Sequence, residues 1–127
     1  MTDTIVKSQL ETVKGLAGHV YPYGALKNDP APFAFYRRLG LDELDDLDGG
    51  TGMMTVRYEI DCVARRHEAM SKLSEAVRAS LLSLQSKTRQ GLRLERVTCK
   101  QESPDLKEKE VNLYRRIYVL QINYQEV

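Results

Sequence analysis

The sequence predicts an α+β fold: a mostly antiparallel, four- to five-stranded sheet with two helices packed on one face. Three observations lead there. In Val56, Tyr58, Ile60, Cys62 and Ala64 apolar side chains fall on every second residue, with Thr55, Arg57, Glu59 and Asp61 between them. That is the two-residue period of a half-buried strand. After Arg65 the spacing becomes helical, with Met70, Leu73, Val77, Leu81 and Leu84 in one stripe that Ala69, Ala76 and Ser80 widen. The last segment, Val111 to Gln125, carries apolar residues on both parities, so it is a strand covered on both sides. No Gly or Pro interrupts Met53 to Gln90, so one strand runs into one long helix, and the rest of the chain must cover its apolar side.

Taken in order, a first helix is expected from about Thr4 to Leu16. Its stripe is Val6, Leu10, Val13 and Ala17, with Ile5 and Leu16 beside it and Thr2, Asp3 or Thr4 as cap. His19 to Tyr23 reads as a short edge strand, because Pro22 cannot donate to a ladder. Asn28-Asp29-Pro30-Ala31-Pro32 is a turn. Phe33 to Leu39 is a strand, with Phe33, Phe35 and Leu39 on one face and Ala34, Tyr36 and Arg38 on the other. The acidic, glycine-rich run from Gly40 to Gly52 is expected to be a flexible connection, although Leu41, Leu44 and Leu47 leave room for a helical turn. On the long helix Glu68 can pair with Lys72 and Glu75 with Arg78, and Gly91 can stop it. Leu92 to Lys100 is a further strand, and Gln101 to Glu110 a charged surface loop.

At 127 residues the chain is read as one domain spanning 1–127. Nineteen basic and eighteen acidic residues leave a net charge of +1, which does not favour a grip on many DNA phosphates. No apolar run is long enough for a transmembrane helix, and the N-terminus lacks the pattern of a secretory signal, so synthesis inside the cell is expected. Cys62 and Cys99 are expected as reduced thiols.

An EF-hand register with Gly49 at its sixth position places Asp46 and Asp48 correctly. It also puts Leu44 and Thr55 where the first and twelfth ligands belong, so no metal is expected. His67-Glu68 opens like a zinc-protease helix, but Ser71 stands where the second His is needed. Cys62 on an apolar parity reads as a core thiol. The pairs Arg37-Arg38, Arg65-Arg66 and Arg115-Arg116 read as salt-bridged sheet arginines or as part of a contact surface, where Arg and Tyr are favoured. No enzyme chemistry and no cofactor is expected. A contact-making domain is.

A family pattern is carried by Val20-Tyr21-Pro22-Tyr23-Gly24-Ala25, Ala31-Pro32-Phe33-Ala34-Phe35-Tyr36, Tyr58-Glu59-Ile60-Asp61-Cys62-Val63-Ala64 and Tyr118-Val119-Leu120-Gln121-Ile122-Asn123-Tyr124. In this order, from about Ile5 to Tyr124, the chain resembles the phage tail-completion proteins, the tail-terminator or head-tail joining group of long-tailed phages and prophages. The resemblance implies a non-enzymatic virion part of the tail or neck, made in the bacterial cytoplasm. Such subunits form a homo-oligomeric ring, often a hexamer, which caps the tail tube and docks the head connector. DNA passes through the bore, and no membrane is involved. The family offers no site to carry over. From the residues alone, Asp42, Glu43, Asp45, Asp46 and Asp48 are candidate partner contacts, as is the connector Gln101 to Glu110. Tyr114, Arg116, Tyr118 and Tyr124 are candidates for a subunit interface provided the helices cover the other face. The competing readings are a small dimeric adaptor or ligand-binding domain without catalysis, and a minor enzyme using Cys62 or His67 between subunits.

Overall fold

A computed structural model describes residues 2–22, 31–46, 49–109 and 112–127, with the side chains of 42–51 left aside. The element order is α1 (Thr2–Glu11), β1 (Val20–Pro22), β2 (Phe33–Asp46), β3 (Gly49–Ala64), α2 (His67–Leu82), β4 (Thr88–Arg89), β5 (Leu92–Gln101), β6 (Leu106–Glu108) and β7 (Leu113–Glu126). The strands form one seven-stranded sheet in the order β1-β2-β3-β7-β5-β4, with β6 also on β7. The sheet is therefore larger than the four to five strands expected. It is also mixed, since β1 runs parallel to β2 while the other pairs are antiparallel. The short edge strand expected at His19 to Tyr23 is β1 (Val20–Pro22), and the extra strands are β4 and β6, two and three residues long. At that length a periodic pattern cannot announce itself.

Both helices lie on one face, as expected. The shared core joins Ile5, Val6 and Leu10 of α1 and Leu73, Val77 and Leu81 of α2 to Val56, Tyr58, Ile60 and Cys62 of β3. β5 and β7 complete it with Leu94, Val97, Cys99, Leu120 and Ile122. β7 lies between β3 and β5, with Tyr118, Leu120 and Ile122 buried under the helices. Leu113, Ile117 and Val119 on the other parity are only half-buried, so the strand is covered on one face and not on both as expected.

Three boundaries differ from expectation. α1 stops at Glu11 instead of Leu16, yet Val13 and Leu16 stay buried because successive i→i+3 turns keep them under the same stripe. α2 stops at Leu82 instead of near Gln90. Its continuation bonds to β5, with Ser86 N–H donating to Leu94 O and Leu94 N–H to Lys87 O. Gly91 therefore does not end the helix. With φ +51° at Gln90 and +77° at Gly91, and Arg89 opposite Leu92, these two residues make the tight turn of the β4–β5 hairpin.

The largest correction concerns residues 40–52. They are mostly strand: β2 continues to Asp46, and β3 begins at Gly49. Leu41 and Leu44 lie in β2 and not in a helical turn. The ladder survives the glycines through register shifts at Arg38/Gly40 and Leu44/Asp45. β3 meets β7 only from Met54 onward. From Glu43 to Met53 the hairpin is thus a two-stranded arm beyond the body of the sheet. The connector 101–110 likewise contains β6 and is not loop throughout. The turn at Asn28 to Pro30 lies outside the described residues.

Candidate interaction surfaces

The parity of β7 decides which face is open. Tyr118, Leu120 and Ile122 lie under the helices. Tyr114, Arg116 and Tyr124 share their parity, so the condition attached to these interface candidates is not met. Tyr118 is 2% exposed and already core. Arg116 serves the subunit itself. Its Nε and Nη2 donate to Asp105 at 2.8 and 2.9 Å, and its Nη1 to Glu75 of α2 at 3.2 Å. Glu75 thus pairs across to β7 and not with Arg78, whose Nε instead donates to the carbonyl of Cys99 at 3.0 Å. The Arg116 fork, helped by Gln101 and His67, holds the Asp105 carboxyl down to about 2 and pins the connector to the sheet. Tyr114 packs edge-on against His67, and Tyr124 against the core. His67 is exposed at the first turn of α2, as expected.

The helix-free face belongs to the other parity. Phe33, Phe35 and Val63 form a small apolar cluster with Tyr21, Ala31 and Leu113. Arg115 lies over the Phe35 ring and reaches Asp61 at 2.8 Å and Glu108 of β6. Burial pushes the Asp61 carboxyl up to about 6 even against the pull of Arg115. Arg37 pairs with Glu59 at 2.6 Å. Two of the three arginine pairs therefore hold salt bridges on sheet faces. Further along, Arg96, Thr98, Lys100, Val119, Gln121 and Asn123 line a shallow polar hollow of about 280 Å³.

The third pair, Arg65-Arg66, opens a different surface. A groove of about 430 Å³ lies where β3 enters α2. Its floor is apolar, with Pro32, Ala64, Leu73 and the exposed methyls of Ala69 and Ala76. Expected to widen the core stripe, those two alanines instead face this groove. Lys14, Arg65, Arg66 and Lys72 stand around it, and among the described residues no carboxylate lines it and none of the four makes an ion pair. Sequence reasoning missed this surface, since Lys14 and Pro32 reach it only through the fold. The alternation of small residues and cations over 64–76 was the signal available.

Of the acidic candidates, Asp42, Glu43, Asp45 and Asp46 lie on β2 in or next to the arm, and Asp48 falls outside the described residues. Leu39 and Leu41, at the base of that arm, are 46% and 44% exposed.

Neither thiol meets solvent. Cys62 and Cys99 are free and 0% and 1% exposed, and burial pushes both up to about 12. We expect iodoacetamide to leave both untouched in the native protein and to label both in denaturant. Rapid native labelling of Cys62 would contradict the core assignment.

No family model matches the chain, and no curated protein matches it. Among solved structures, it is similar in fold to a chain of the "Virion of native gene transfer agent (GTA) particle". The TM-score is 0.62 at 18% identity, covering 94% of this chain and 90% of the other. At that identity the likeness concerns the fold: a sheet carrying two helices on one side and leaving the other bare.

Proposed function

We propose that the chain is a structural virion protein of the tail-completion kind, without catalysis of its own. Copies form a ring that caps the tail tube and docks the head connector, and DNA passes through the bore. The observation that carries this reading is the fold likeness over nearly the full length of both chains to a component of a gene transfer agent virion. The family resemblance of the sequence points the same way. Three structural features support it. β2 runs on to Asp46, well past Tyr36, where its ladder with β1 ends. Its helix-free face mixes aromatic, arginine and amide side chains, the composition favoured at contacts. The two thiols lie in the core.

The opposite edge is blunted by side chains. Gln85 accepts from the Val97 N–H at 3.1 Å, and Arg78 donates to the Cys99 carbonyl. Strand addition is thereby discouraged on that side, which suits directional contacts better than a symmetric pair.

Deleting the gene from the element that encodes it tests the reading. Electron micrographs are expected to show filled heads unjoined to tails, with tails of irregular length or open ends. Normal, infectious particles would overturn it.

A further inference from the structure

The acidic arm and the basic groove lie at opposite ends of the same pair of strands. β3 starts at Gly49 in the arm and ends at Ala64 in the groove, 16 residues apart counting both. A strand of that length spans roughly 45–50 Å. Asp42, Glu43, Asp45 and Asp46 place four carboxylates among five residues at the arm end. Lys14, Arg65, Arg66 and Lys72 place four cations around an apolar floor at the groove end. Asp42 lies opposite Thr55 and Asp46 opposite Gly49, so along the ladder these charges stand roughly 30–50 Å from the groove end and do not meet it within one chain.

Resting on the tail-completion reading, we propose that the groove receives the acidic β2–β3 arm of a second copy. The carboxylates meet the four cations, and the leucines of β2 cover the alanine and proline floor. Leu39 and Leu41 are exposed large apolar residues on the strand that carries those acids. The groove offers apolar surface ringed by charge of the opposite sign, the complement that fixes register and partner. Because each copy has one arm and one groove, at different places, the contact is heterologous. Repeated, it closes a ring or runs on as a filament and does not stop at a two-fold dimer. A chain net charge of only +1 then reflects two strong local charges that cancel between neighbours.

Reversing charges on each side separately tests the pairing on the full chain. One variant carries Asp45→Lys with Asp46→Lys, and the other carries Arg65→Glu with Lys72→Glu. Circular dichroism checks that each is folded, and Arg65 and Lys72 are both exposed. By sedimentation velocity, the wild type is expected to associate beyond a dimer, less so as salt rises. Each double variant should self-associate on the order of 100-fold more weakly. Mixing the two sets the native arm against the native groove and the reversed arm against the reversed groove, so the mixture should grow by alternating contacts where neither variant grows alone. The quadruple variant should recover growth. A groove variant that associates like the wild type, a mixture that does not grow, or a wild type monomeric throughout overturns the proposal. So does loss of duplex DNA binding, with self-association intact, on reversing the groove charges. Complementation of the gene deletion separates the two levels. If the groove variant still completes tails, the arm contact falls and the tail-completion reading stands. If the deletion itself leaves tails normal, that reading falls whatever the association data show.

Discussion

Replacing Arg115 by Ala should destabilise the protein by about 3 kcal/mol at pH 7.5 and by clearly less at pH 5. Asp61 is 3% exposed and takes two contacts from the guanidinium, Nη2 at 2.8 Å and Nε at 3.3 Å. Without Arg115 an ionised Asp61 would be left buried beside Glu59 and Glu108, both of which already push its pKa up. Its folded value, about 6, lies above the unfolded 3.8. The stability contributed by this group is therefore fully present below about pH 4 and is lost as pH rises through 6. In Arg115→Ala the folded value rises further, so the loss extends to higher pH, and the gap from wild type widens between pH 5 and 8. Urea unfolding at both pH values checks this. Asp61→Asn should flatten the pH dependence. Equal costs for Arg115→Ala at pH 5 and 7.5 would show that the arginine acts through packing on Phe35 and not through charge.

The same residues show what could be read from the sequence. Strict alternation over Thr55 to Ala64 and the heptad-like spacing from Met70 to Leu84 fixed β3, α2 and the face they share, because each rests on many residues obeying one period. Which partner each arginine takes was not legible. Asp61 and Arg115, like Asp105 and Arg116, are neighbours only because β7 returns between β3 and β5. The parity of β7 was equally ambiguous with apolar residues on both sides. Tyr114, Arg116, Tyr118 and Tyr124 were therefore assigned to an open face that the helices in fact cover.

The arm was missed for another reason. Glycine and aspartate are poor strand formers, so Gly40 to Gly52 reads as a connection. Yet the ladder of β2 and β3 carries through it, with the register shifts absorbing the misfit. Acidic character, the feature that made the segment a contact candidate, is what its strand geometry now directs away from the body. The groove shows the converse. Each of its cations is unremarkable in sequence, and only the junction of α1, β3 and α2 brings them together.

Tyr58→Ala should cost about 4 kcal/mol, and Tyr58→Phe about 1–2 kcal/mol, with the two losses falling on different parts of the molecule. The ring is fully buried in β3 between Arg38 of β2 and Leu120 of β7, so truncation to Ala opens a cavity in the shared core. The hydroxyl does something separate. It donates to the Asp3 carboxylate and accepts from the Thr2 hydroxyl at 2.7 Å, tying the first turn of α1 to the sheet. Burial, with the Asp3 bond next, raises the Tyr58 pKa, so the proton stays on the phenol across the working pH range. In Tyr58→Phe the buried Thr2 hydroxyl loses its partner while the core keeps its volume. Hydrogen exchange should then quicken at the amides of α1 and leave β3 and β7 protected. Uniformly faster exchange would mean instead that α1 and the sheet open as one unit. The distinction reaches the groove, because Lys14, in the turns three residues beyond α1, forms one wall. If α1 loosens alone, Tyr58→Phe should weaken self-association without unfolding the sheet, a loss that no change of charge at the interface explains.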